Sequence, residues 1–121
     1  MALYGKLYAL LNVTTLTTNV YPVILPQAAA FPALTYQRIS ADRVYSLSGY
    51  STAILENARM QVDCWATSFE TVKTLARGVR RTVDYATSIR SNCISDQDFY
   101  EPDTKIWRVS MDFSIWDQTT S

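Results

Sequence analysis

Residues 105–116, KIWRVSMDFSIW, alternate without a break. Trp107, Val109, Met111, Phe113 and Ile115 fall on one side, and Arg108, Ser110, Asp112 and Ser114 on the other. A period of two belongs to an extended strand with one buried face. Residues 55–65, LENARMQVDCW, repeat the pattern, with Ala58, Met60, Val62 and Cys64 opposed to Asn57, Arg59, Gln61 and Asp63. Two such strands need apolar cover on one face only. The next segment, 67–86 (TSFETVKTLARGVRRTVDYA), can supply it. Phe69, Val72, Leu75, Ala76, Val79, Val83 and Ala86 recur at helical spacing, while Lys73, Arg77, Arg80 and Arg81 occupy the other side. Thr67 and Glu70 have the spacing of a capping box. The pattern predicts an amphipathic helix over about 68–87, with Gly78 inside it at a cost of about 1 kcal/mol relative to alanine.

The flanking segments complete a small domain. Leu3, Leu7, Leu10 and Leu11 make one stripe of a short N-terminal helix that ends near Asn12. The Thr-rich run after it disfavours helix, because β-branched side chains lose freedom there. Pro22, Pro26 and Pro32 hold the chain extended, with a brief edge strand expected at Val23–Leu25. Residues 33–40, ALTYQRIS, read as a strand, and residues 41–53 as a polar flexible loop or the exposed end of a hairpin. Residues 91–100 read as an edge strand, and Glu101-Pro102-Asp103-Thr104 as the turn that returns the chain antiparallel. Residues 117–121 form a polar tail. The expectation is one α+β domain over 1–121. It has a mostly antiparallel sheet of four to five strands, an N-terminal helix and the second helix packed on the sheet.

Composition narrows the chemistry. The chain has 121 residues, 48% of them apolar and 18% charged, a globular balance. It has no histidine, which removes histidine triads, histidine bases and histidine-ligated metals. Three glycines, Gly5, Gly49 and Gly78, are too far apart for a phosphate-cradling loop. Cys64 and Cys93 could pair in principle, but the cysteine count favours two reduced thiols, with Cys64 packed on an apolar face. No nucleophile has an evident base, so we expect no enzyme, no cofactor and no metal. No apolar run approaches the roughly 18 to 20 residues of a membrane span, and no secretory leader is expected.

Two charge clusters remain as candidate contact surfaces. Asp96, Asp98, Glu101 and Asp103 are the densest acids, and their spacing fails the calcium-loop pattern. Arg77, Arg80 and Arg81 are the densest basic group, suited to phosphate or to a solvated helix face. Trp116 lies on the polar parity of the last strand, where a large aromatic can anchor an interface. Asp42, Arg43, Tyr45 and Tyr50 are candidate contacts from the expected loop.

Four blocks together resemble a known family: LYALL near the start, VYPVILPQAAAFPALTYQRIS at 20–40, ARMQVDCWATSFETVKTLARGVR at 58–80 and DFYEPDTKIWRVSMDFSIW at 98–116. In order, they are similar to the tail-completion or tail-terminator proteins of long-tailed bacteriophages, also found in prophages and gene-transfer agents. The resemblance implies a small α+β domain that assembles as a ring, commonly a hexamer, on the head-proximal end of the tail tube. It implies self-contacts, contacts to the tail tube protein and the head-completion or neck protein, and a lumen that DNA crosses without specific binding. The implied place is the tail–neck junction of the virion, after synthesis in the bacterial cytoplasm. The family carries no catalytic motif to transfer. A stopper or adaptor of the neck is the nearest alternative, and a nucleic-acid-binding module through Arg77, Arg80 and Arg81 a more distant one.

Charge is balanced overall but not along the chain. Eleven basic residues oppose eleven acidic ones. Residues 59–90 hold six basic and three acidic groups, whereas residues 91–121 hold two and six. A head-to-tail ring needs two different complementary surfaces on each subunit. The basic helix face and the acidic 96–103 segment are candidates for them.

Overall fold

The computed structural model describes residues 2–12, 17, 19–27, 29–45, 53–86 and 89–117. Helix α1 (Ala2–Leu11) leads into strands β1 (Val20–Pro22), β2 (Ala33–Tyr45) and β3 (Ala53–Ala66). Helix α2 (Phe69–Asp84) and strands β4 (Arg90–Glu101) and β5 (Ile106–Asp117) follow. One sheet orders the strands β1-β2-β3-β5-β4, so the two cleanly alternating strands are neighbours. All pairs are antiparallel except the short β1–β2 pair. The α+β architecture with two helices and a mostly antiparallel sheet is the one the alternation predicts.

The core is the meeting of α2 with one face of β3 and β5. Met60 pairs with Phe113, Val62 with Met111 and Cys64 with Val109, all buried. Leu34 and Tyr36 of β2 extend this layer, being paired with Cys64 and Val62. Val72, Leu75, Ala76, Val79 and Val83 of α2 close it from above. Leu7 and Leu11 of α1 join the same cluster. Burying side chains of this size stabilises by about 1.5–3 kcal/mol each, before conformational entropy is subtracted.

Several local expectations shift. The helix cap is Ser68, not Thr67: Ser68 is extended (φ −131°, ψ 141°), and its hydroxyl accepts from the Thr71 backbone N–H at 3.4 Å. A Ser cap satisfies a donor that the first turn otherwise leaves orphaned. Glu70 then lies in the first turn, where the helix dipole favours an acid. Phe69 starts the helical stripe but is 47% exposed, because it stands at the helix end beyond the sheet's cover. The edge strand expected at Val23–Leu25 forms earlier, at Val20–Pro22, parallel to Leu34–Tyr36. Val23 instead turns the chain: its φ is +64°, and Ile24 N–H donates to the Pro22 carbonyl at 2.7 Å. A γ-turn with positive φ at a β-branched residue is strained backbone. The loop expected over 41–53 is shorter, since β2 continues to Tyr45 and β3 begins at Ala53 as a long hairpin. Val44 and Tyr45 are good strand formers, and pairing with β3 outweighs the polar composition around them. Asp117, expected to open the polar tail, instead ends β5, paired with Glu56 of β3. Tyr50, residues 46–52 and residues 118–121 lie outside the described residues.

The proline-rich stretch is tied to the sheet at one carbonyl. The Pro32 C=O accepts from the Thr17 hydroxyl at 2.9 Å and from the Asn19 side-chain amide at 3.2 Å. Leu34 N–H donates to the Asn19 carbonyl at 2.9 Å, which sets β1 beside β2.

Cys64 sits fully buried at the centre, and Cys93 is half-buried on β4; both are free thiols. Burial pushes the Cys64 thiol far up, and the neighbouring Asp63 carboxylate adds to the shift. The folded chain therefore keeps this proton, while the unfolded chain releases it above the ordinary thiol value of 9.0. Stability is unaffected by this group below that pH and falls as pH rises past it, by up to about 1.4 kcal/mol per pH unit. Urea midpoints measured from pH 7 to 10 should fall more steeply in the wild type than in Cys64→Val, which lacks the titrating group.

Candidate assembly interface

The face of the sheet turned away from α2 is polar and carries no covering element among the described residues. Alternation along β3 puts Asn57, Arg59, Gln61, Asp63 and Trp65 there, and along β5 puts Arg108, Ser110, Asp112, Ser114 and Trp116. These side chains satisfy one another. Arg59 pairs with Asp112 at 3.7 Å and Arg108 with Asp63 at 3.9 Å. The Gln61 amide donates to both Asp63 oxygens at 3.1 and 3.2 Å. The Trp65 indole N–H donates to the Thr35 hydroxyl at 3.1 Å, and the Asn57 amide to the Ser114 hydroxyl at 2.9 Å.

Arg108 is the most constrained cation on this face. Its guanidinium lies 4.4 Å from the Phe99 ring and 5.3 Å from the Trp65 ring, beside Asp63, which is itself buried. A depression of about 210 Å³ opens next to it, lined by Gln61, Gln97, Phe99, Ser110 and Asp112. A planar guanidinium stacks between two rings in a way a lysine ammonium does not. Sequence reasoning did not single out Arg108, Trp65 or Phe99. The β4–β5 turn places Arg108 opposite Phe99, but only the β3–β5 register adds Trp65.

The basic group named from sequence lies on α2. Arg77, Arg80 and Arg81 are exposed, and none forms an ion pair with another described residue. Arg77 and Arg81 border an open groove of about 560 Å³ that also includes Pro32, Glu70 and Gly78. The acidic group does not form one turn. Asp96 and Asp98 are strand residues on the α2 side of β4, Glu101 ends that strand, and Asp103 lies in the turn. Asp98 meets Lys73 of α2 at 3.2 Å, and Asp96 borders a groove with Lys73, Arg77 and Arg80. Glu101 accepts from the Thr104 hydroxyl at 3.3 Å. Part of the basic helix and part of the acidic segment thus face each other within one subunit. Among the described residues, no three acids or thiols converge as a metal site.

Aromatic residues gather near the β4–β5 turn. Trp107 contacts Phe69 edge-on at 5.1 Å and Tyr100 at 4.4 Å. Phe69, Tyr100 and Phe99 all remain exposed. At the opposite end of the sheet, Trp116 is 40% exposed, in one row with Asn57 and Arg90. Asp42, Arg43 and Tyr45 lie on the last turn of pairing between β2 and β3.

Arg108→Lys keeps the charge and removes the stacked plane. It should lower stability by about 1–2 kcal/mol. The exposed Lys73–Asp98 pair should matter less, with Lys73→Ala costing at most about 1 kcal/mol. Chemical denaturation of the two variants beside wild type checks the ranking.

Comparison with known proteins follows the same lines. A search of curated proteins finds no match. Among solved structures, the chain is similar to a protein in the virion of a native gene transfer agent particle. Identity is 18%, the match covers 93% of this chain and 84% of that one, and the TM-score is 0.51, which is a likeness of fold. A protein of Akkermansia muciniphila solved without its transmembrane region matches at 8% identity, over 70% of this chain and 46% of that one, with a TM-score of 0.38. The family model described as tail completion protein gp17 matches residues 1–118, nearly the whole chain. With the sheet, the helices and the four sequence blocks all inside that span, the chain belongs to the gp17 family of tail completion proteins.

Proposed function

We propose that this protein forms a ring on the head-proximal end of a phage tail tube, ends tube polymerisation there and provides the joint to the neck. The observation that carries this reading is the family match over residues 1–118. The open sheet face supports it. A channel for DNA must be wet and must not hold phosphate tightly, since attraction grows with each free cation engaged. On the open face, Arg59 and Arg108 are each matched by an aspartate. Size is compatible as well. A chain of this length has a radius of gyration of about 14 Å, hence an outer radius of roughly 18 Å as a uniform sphere. Six such spheres touching in a ring enclose a hole roughly 35 Å wide, enough for a duplex.

A deletion separates this role from that of a stopper. Loss of a terminator leaves overlong or unjoined tails, whereas loss of a stopper lets filled heads leak DNA. Mass photometry of the purified protein, alone and with tube protein, should show a discrete oligomer near six copies. A chain that stays monomeric and never joins tube ends overturns the reading.

The helix cations have a part in the same assembly. Arg77, Arg80 and Arg81 form no ion pair with a described residue, though Asp96 borders the groove beside Arg77 and Arg80, and they lie on a surface suited to the tube, the neck or an adjacent subunit. Replacing all three with glutamate should impair assembly or tail joining most at low salt, where screening is weakest. Unchanged assembly at low salt removes them from the interface. Binding of duplex DNA that strengthens steeply as salt falls, and is lost in the same variant, favours the nucleic-acid reading instead.

A further inference from the structure

Among the described residues, both edges of the sheet are left without a further strand. On one side, β4 is the last strand over its whole length, Arg90–Glu101. On the other, β1 covers only Leu34–Tyr36 of β2, so Ile39–Tyr45 has no strand beside it among the described residues. An uncovered edge offers unpaired N–H and C=O groups to another chain. The two edges run in opposite directions, because each successive pair from β2 through β3 and β5 to β4 is antiparallel. Copies related by rotation about an axis along the strands would therefore bring β4 of one copy antiparallel to β2 of the next.

The edges also correspond in detail. Each carries one bulge. The unpaired residue is Ile39 on β2, between Arg38 and Ser40, and Ile94 on β4, between Cys93 and Ser95. Both bulges adjoin the same row of the sheet, Arg38–Met60–Phe113–Cys93. Both isoleucines are exposed, at 47% and 49%. A bulge redirects a side chain at a sheet edge, and here each edge shows an apolar one, the two flanking that row from opposite sides about one residue step apart. A second row, Asp42–Asn57–Trp116–Arg90, ends in an acid on β2 and a base on β4.

We infer that the β4 edge of one copy packs against the β2 edge of the next, with Ile94 beside Ile39. The occupant of each edge is a second copy of this chain, and the contact is head-to-tail, as a closed ring requires. The inference rests on the ring reading and specifies how the ring is joined. The polar face then turns to one side of the wall and the helices to the other.

Cysteine pairing tests it. In a Cys93→Ser background, Ile39→Cys and Ile94→Cys are made singly and together, and each protein is treated with a short bis-maleimide; Cys64 is buried and does not compete. The double variant should give a ladder of covalently linked copies on a denaturing gel. Each single variant should stay monomeric on that gel, because a head-to-tail contact never apposes a residue with itself. Rings visible by mass photometry in the double variant without a ladder overturn the edge contact and leave the ring standing. A wild-type chain that forms no ring, alone or on tube ends, overturns the ring and the contact together.

Discussion

One helix can cover only one face of a sheet, and that constraint organises this molecule. α2 spends its whole apolar stripe on the β3–β5 pair and the start of β2. Among the described residues, nothing of comparable size covers the other face. That face must therefore tolerate water, and it does so by satisfying its own polar groups: Arg59 with Asp112, Arg108 with Asp63, Gln61 with Asp63. The outcome is a thin plate, apolar within, polar on one side and helical on the other, whose two sheet edges have no further strand beside them among the described residues.

Much of this plate is legible in the residues. Strict alternation in β3 and β5 gives the strands, their buried faces and their need for a single cover. The Glu101–Lys105 turn fixes the β4–β5 register, and with it the pairing of Phe99 with Arg108. Local chemistry is read less well where two residues compete for one role. Thr67 and Ser68 both suit a helix cap, and the chain enters the helix one residue later than the Thr-x-x-Glu spacing suggests. The stretch 41–53 is polar as a whole, yet pairing with β3 holds residues 41–45 in a strand. Propensity is local, and a long hairpin overrides it.

What sequence could not supply is the meeting of distant segments. Trp65 reaches Arg108 only through the β3–β5 register, and Lys73 reaches Asp98 only because β4 returns beneath α2. The segregation of charge along the chain is real, but folding cancels part of it within the subunit. Lys73 and Asp98 pair, and Asp96 lies along the groove with Arg77 and Arg80. The surface charge that remains is therefore smaller than the totals by segment imply, and it is concentrated on the outer face of α2.

The matched bulges have a consequence for the length of the chain. One extra residue reverses which side chains point inward for the remainder of a strand. In β2, Leu34 and Tyr36 face the helix before Ile39, and after it the even-numbered Ser40, paired with Arg59, takes the opposite phase. In β4, Ser91 and Cys93 hold that phase before Ile94, and Asp96 and Asp98 after it. Both outer strands thus change phase beside the same row, one on each side of it, and the two margins of the plate stay in step, as the opposite faces of a unit cell must. A lone deletion of Ile39 or of Ile94 would put the margins out of step by one residue, whereas removing both would restore the match. The lengths of two segments far apart in sequence are in this way a single constraint.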